Sequence, residues 1–502
     1  MKYLNGIFPF LEKEFSDSII NKSSLKFFRA IQKFPSFAFE IDKFDDYLKN
    51  SIFLKFSPLI VIVSILLFFS FSDHPLSPIG TIVVILGTVS FYIGSLVNIP
   101  NIRRINKKYF FPLLIIFLVL FLLSMIQIES FGFYVKLSLI PLLLIGMTER
   151  ENKDFFVSLL MVSIVILLKG FWALSFPFIF LSLIYLFLNY HGGLIKYLED
   201  NTYNLIFILL SLGLIFYILD LIIAGGIPLF NVQARNSLDP FFTMMSHFFP
   251  MGSILLISYV GLTKKYSYKK ARFISIFFTF LSLFLMALLG YRTQVIFVLL
   301  GALICGSMVG IWKKSEIIII GIGSLISLLA LTMVRDILLL GIKLSLFESL
   351  RTRISLTTDV MDILANMGGG FGLTNGAIHI ATHPYLARLM PGIAYSPRRM
   401  IAVLVGERSV SVTSTIFGPL AIDFGLIGVL IGMAFLGFFL SNLYKSSDRE
   451  KGERKVILVG LYSMVLSYTI IGIETGILDL EVILLFMISL SYLLFIINRK
   501  II

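Results

Sequence analysis

Charge is scarce in this chain, and so is cysteine. Asp, Glu, Lys and Arg together make up 14% of the 502 residues, against 58% hydrophobic. A soluble domain carries roughly a quarter charged residues, so a water-soluble enzyme is excluded. The lone cysteine, Cys305, excludes an intramolecular disulfide, a cysteine-based zinc cluster and a CxxC redox motif. The first 50 residues contain no apolar h-region, so no cleavable signal peptide is expected. The chain has no GxxxxGK[ST], no GxGxxG following a strand and no GxSxG, so phosphate-loop, dinucleotide and hydrolase-elbow chemistries find no support.

What is there is a long series of apolar runs. Fourteen segments are read as membrane spans: 52–71, 79–97, 109–128, 133–147, 155–169, 171–190, 203–224, 241–262, 272–289, 294–312, 316–334, 414–440, 456–473 and 481–497. Each approaches the length that crosses a hydrocarbon core. Lipid offers no hydrogen bonds to a backbone, so the segments must be helices. The expected fold is an all-α polytopic membrane protein with about 14 transmembrane helices. Its divisions are a cytoplasmic amphipathic segment (1–51), spans one to eleven (52–334), a large outer loop (335–412) and spans twelve to fourteen (413–502).

Basic residues alternate between connections. Arg103, Arg104, Lys107 and Lys108, then Arg150 and Lys153, Lys196, Lys264 to Arg272, Lys313 and Lys314, and Lys445 to Lys455 fall on every second connection. Connections 72–78, 129–132 and 474–480 have neither Lys nor Arg. This positive-inside pattern puts both termini in the cytoplasm and 335–412 outside, in a cell membrane. The net charge of +13 then reflects loops facing anionic lipid, with no nucleic-acid partner implied. The N-terminal stretch has Phe27, Phe28, Ile31 and Phe34 near helical spacing, as expected of a helix lying on the inner leaflet or docking a partner.

The connection 335–412 is far longer than an ordinary loop. Ser355 to Met367 reads as helical, Gly368-Gly369-Gly370-Phe371-Gly372 breaks it, and Ser396-Pro397 opens another helix. A small helical cap between spans eleven and twelve is expected.

Arginine is concentrated on that outer side. Arg235, Arg292, Arg335, Arg351, Arg353, Arg388, Arg398, Arg399 and Arg408 stand there against a single Lys343, whereas the inner loops use mostly Lys. Arginine grips phosphate or carboxylate oxygens in a two-pronged fork that lysine cannot reproduce. An outer anion-binding site is therefore expected, with Arg351, Arg353, Arg388, Arg398, Arg399 and Arg408 as substrate-binding candidates. The bland alternative pairs these arginines with local acids. Arg292 sits in the tight turn Gly290-Tyr291-Arg292-Thr293, where it either holds a ligand or simply snorkels to the surface. His379 and His383 are both candidates for a general base; a metal between them is disfavoured by Pro384. Asp220 and His247 are intramembrane polar residues, either functional or bonded between helices. Asp359 and Asp362 form a weak metal candidate.

Three stretches carry a resemblance: GGIPLFNVQAR at 225–235, GYRT at 290–293, and TSTIFGPLAIDFGLIGVLIG at 413–432. With the large late loop and the outer arginines, the chain resembles the O-antigen polymerase/ligase superfamily, and more closely its Wzy-type oligosaccharide repeat unit polymerases. The resemblance implies a GT-C-like, inverting glycosyltransferase that needs no metal and no cofactor. Donor and acceptor would both be polyprenyl-diphosphate-linked oligosaccharides, with membrane lipids and a chain-length regulator as further partners. It places Arg292 and Arg235 among the catalytic residues and leaves the base open between His379 and His383. Ligase-type transfer to a lipid or protein acceptor is one alternative. A flippase is another, though polar residues would then be expected along a central path. A metal-dependent transferase would want more acids in the first outer loop than Asp73.

Overall fold

The computed structural model describes residues 57–97, 199–231, 233–234, 237–263, 265–312, 346–382, 396–407 and 412–499, with isolated positions between them. The described residues form helices only. In chain order these are α1 (Ser57–Ser70), α2 (Pro78–Leu96), α3 (Thr202–Ala224), α4 (Pro240–Ser246), α5 (Phe248–Leu262), α6 (Tyr268–Leu288) and α7 (Arg292–Met308). There follow α8 (Leu346–Gly368), α9 (Ala377–Ile380), α10 (Pro397–Leu404), α11 (Phe417–Arg449), α12 (Gly452–Thr475) and α13 (Leu480–Arg499). Six helical stretches among the described residues are long and apolar enough to cross a membrane.

Nine of the fourteen expected spans fall on these helices. The expected spans 109–128, 133–147, 155–169, 171–190 and 316–334, and the N-terminal segment 1–51, lie essentially outside the described residues. Within 241–262 the helix is interrupted at His247, where α4 gives way to α5. The helix expected from Ser355 begins at Leu346, because its preceding turns, with Glu348 at the start, extend the same amphipathic pattern.

Glycine lets α2 and α11 approach at backbone distance. A β-carbon on Gly94 would overlap the Ala434 carbonyl, and one on Gly437 would overlap that of Phe91. Inside lipid, helices associate through such close packing rather than through loss of water contact. α12 runs through the middle of the bundle and is buried along nearly its whole length. Its own Tyr462 is fully buried, as are Phe297 of α7 and Phe439 of α11 in the same core. Serine hydroxyls tie helices together: Ser282 donates to Ser253 at 2.8 Å, and Ser258 to the Val456 carbonyl at 2.8 Å.

Helix α8 meets the 72–78 connection at one end of the bundle. Asp362 of α8 accepts hydrogen bonds from the Ser77 amide at 3.1–3.2 Å and from its hydroxyl at 2.7 Å. Ser77 is itself the N-cap of α2. Arg351 pairs with Asp73, and the Asp73 amide donates to Ser355 at 2.8 Å. Asp220 acts in the same manner further along, accepting from the Asp239 amide at 3.0 Å and from Thr243 at 2.6 Å. It is thus an anchor for the start of α4, the structural one of its two readings.

Candidate functional site

The site begins at a break in a helix. α11 is interrupted at Gly425, whose φ of 68° and ψ of −165° lie outside the helical region. A break leaves backbone groups unpaired, and in an apolar setting each is costly. The glycine-rich turn after α8 replaces the lost partners. Leu373 and Thr374 donate their amides to the Ile422 carbonyl at 2.7 and 3.1 Å, while the Leu426 amide donates to Gly369 at 2.9 Å. A β-carbon on Gly425 would overlap the backbone of Gly370 and Phe371. Only glycine accepts both this φ and this proximity.

Asp423 sits just before the break and is fully buried. Its Oδ1 accepts from the Thr374 hydroxyl and, at 3.1 Å, from the Ile378 amide. Oδ2 accepts from the His379 amide at 3.0 Å and lies 2.5 Å from His379 Nδ1. The carboxylate therefore both caps the short helix α9 and orients the imidazole borne on it. In the tautomer that donates from Nδ1 to Asp423, Nε2 is the ring nitrogen that carries the lone pair. The His379 side chain is 24% exposed, so solvent or a substrate can reach it. This is the geometry of a general base held by a carboxylate.

A small apolar core of Val360, Leu364, Ile378, Ile401, Ile422 and Leu478 sits beneath this pair. It joins α8, α9, α10, α11 and the connection between α12 and α13 in one body. Arg398, on α10, pairs with Asp479 of that connection at 2.7 Å. Burial pushes the Asp479 carboxyl above the usual carboxylate range, although Arg398 opposes it. Burial would lower Arg398, but the charge of Asp479 and the hydrogen bond to it outweigh that and hold the guanidinium above its ordinary value. Arg353 pairs with Glu474.

The predicted site residues thus divide into groups. His379 and the Asp423 carboxylate are brought together. Arg351, Arg353 and Arg398 each meet an acid, but one from another connection (Asp73, Glu474 and Asp479) rather than a local acid of the large loop. Arg292 opens α7 as its first residue, and Arg399 is exposed on α10. Arg235, Arg388, Arg408 and His383 lie outside the described residues. Asp362 is occupied in capping α2, and His74 Nε2 stands 3.5 Å from Asp359 and 3.7 Å from Asp362. Among the described residues, no three His, Cys, Asp or Glu side chains are grouped to hold a metal ion.

Asp423 was not singled out by the sequence reading, nor were Glu474, Asp479 and Glu481. The signals were present. Asp423 is an acid within an apolar span, a placement that is costly unless used. The other three stand in or beside the connection 474–480, which has no basic residue of its own to pair with them.

A sequence model of the family described as putative O-antigen polymerase matches residues 55–486. A similar chain is an uncharacterized protein of Methanocaldococcus jannaschii, 35% identical over 292 residues, which cover 57% of this chain and 75% of that one. No solved structure matches. A match of this extent embraces the broken helix, the glycine-rich turn, the His379–Asp423 pair and the arginine at the head of α7, and on it the chain is a member of the putative O-antigen polymerase family.

Proposed function

We propose that this protein is a glycosyltransferase that polymerises polyprenyl-diphosphate-linked oligosaccharide repeat units at the outer face of the membrane. The observation that carries the reading is the imidazole of His379, held at 2.5 Å by a buried carboxylate and 24% exposed. The acceptor is a sugar hydroxyl of a second lipid-linked unit. His379 Nε2 takes its proton as the oxygen attacks the anomeric carbon of the donor. The new carbon–oxygen bond forms as the bond to the diphosphate breaks, on the opposite face, so the anomeric configuration inverts. The leaving diphosphate carries away the electron pair. Arg292 and Arg235 stabilise its developing charge, and the arginines of the large loop add further positive charge; fixed cations act best where charge develops in the transition state. No divalent metal is required in this scheme.

The same reading includes fourteen spans in a GT-C-like arrangement, with both termini cytoplasmic. The ion pair of Asp73 with Arg351 supports it. It brings the first outer connection and the large loop to one end of the bundle, which demands an even number of crossings between them. Ten are expected.

The test is reconstitution. The purified full chain is given a lipid-linked oligosaccharide with excess EDTA, and products are separated on a gel. A ladder of lengthening chains is expected. Failure under EDTA with recovery in Mg²⁺ or Mn²⁺ would overturn the metal-free scheme. Transfer of a single unit to an added lipid or protein acceptor, without a ladder, would replace the polymerase reading by the ligase one.

A further inference from the structure

The first turn of α7 carries Arg292 but lacks the usual device that holds a helix start in place. Its N-cap, Tyr291, makes no side-chain capping hydrogen bond. The turn is tied from outside by Gln294, its third residue, which is 96% buried. Gln294 Oε1 accepts from the Tyr468 hydroxyl of α12 at 3.0 Å, and its Nε2 faces Glu481 Oε1 of α13 at 3.4 Å. The Tyr468 ring is fixed in turn by stacking on Phe297 with centroids 4.1 Å apart. The same Glu481 oxygen lies 3.3 Å from Nδ1 of His247, which is 4% exposed at the α4–α5 junction and stands edge-on to Tyr291. One carboxylate oxygen therefore touches both the helix that carries Arg292 and the segment that follows Arg235.

A buried acid in this position is costly, and apolar side chains of similar volume would pack as well or better. What a polar network adds is a single register for the elements it joins. We propose that Glu481 is a positioning residue for Arg292, setting the first turn of α7 against α5 and α13 so that the guanidinium meets the donor diphosphate. The proposal rests on the transferase reading given above. A displacement of about 1 Å at a reacting group can lower a rate by roughly 100-fold, so losing the tie should act on turnover far more than on binding.

The experiment is a double-mutant cycle on the full-length protein in the ladder assay. Glu481→Gln and Arg292→Lys are measured singly and together at saturating donor. Gln294→Met is added as a second way to cut the tie while leaving Glu481 beside His247, in case the Glu481 variant does not fold. Folding is checked by gel filtration and thermal melting. The expected result is a fall in kcat of roughly 10- to 100-fold in Glu481→Gln and Gln294→Met with KM little changed. The fall should disappear in the Arg292→Lys background, since an arginine that is absent cannot be misplaced. A loss that multiplies with that of Arg292→Lys, or a folded Gln294→Met with full kcat, overturns the positioning role and leaves the transferase reading standing. Full activity of Arg292→Lys itself removes the role of Arg292, and the positioning role with it.

Discussion

Oδ2 of Asp423 lies 2.5 Å from Nδ1 of His379 and 3.0 Å from the amide of the same residue. One buried oxygen thus sets both the backbone and the ring of the candidate base. Asp423→Asn keeps the volume but offers a single acceptor and places an NH₂ donor where two of the partners also donate. The variant should fold, and its kcat should fall by roughly 10²–10⁴-fold, the range that a positioned general base contributes. Steady-state rates of chain growth check it; wild-type turnover in a folded Asp423→Asn would remove the carboxylate from the mechanism.

Gly425 and Gly406 separate two costs of adding a methyl group. Both have positive φ, 68° and 88°, but a β-carbon at Gly406 meets nothing within 4 Å whereas at Gly425 it overlaps the turn that docks on the broken helix. Gly406→Ala should cost about 1 kcal/mol from backbone strain alone. Gly425→Ala should cost more than that and reduce activity, because the turn it displaces leads into α9 and His379. Thermal melts of the two variants in detergent compare them directly.

The arginine pairs are not equal. Arg351 and Asp73 are each about half exposed, at 50% and 52%, so Asp73→Asn should change stability by no more than about 1 kcal/mol. Arg398 and Asp479 are more enclosed, at 27% and 31%. Arg398→Met would strand the Asp479 carboxylate and should cost up to about 3 kcal/mol, with part recovered in the double variant Arg398→Met, Asp479→Leu. Denaturation of all three variants, read by the same probe, tests the order.

Topology is checked with cysteines. After replacement of the buried Cys305, single cysteines at 350 and 450 are exposed to an impermeant thiol reagent in intact cells. Position 350 should label and 450 should not. Labelling at 450 would contradict the fourteen-span arrangement.

Much of the architecture was legible because membrane burial writes itself as uninterrupted apolar length, which marks spans such as 203–224 and 456–473 to within a few residues. The cap was legible in part, since Gly369 and the Ser396-Pro397 pair are strong local signals. The break at Gly425 was not. It lies inside an apolar run in which Asp423 is the sole charged residue between 414 and 440, and glycine is common in spans without breaking them. The partners of the arginines were hidden for another reason. Arg353 finds Glu474, and Arg398 finds Asp479, across more than eighty residues of chain, and no periodicity links such positions. His379 is a candidate by its chemistry alone, but its orienting carboxylate is visible only in the fold, which brings residues 379 and 423 together.

The most direct test of the central claim is the turnover of His379→Gln in the purified full-length protein with a lipid-linked oligosaccharide, measured against wild type at saturating donor and acceptor. Glutamine approximates the reach of the ring but cannot take a proton. The expected result is a folded protein that still binds the donor while its kcat falls by roughly 10²–10⁴-fold. Chain growth at the wild-type rate in that variant would contradict it.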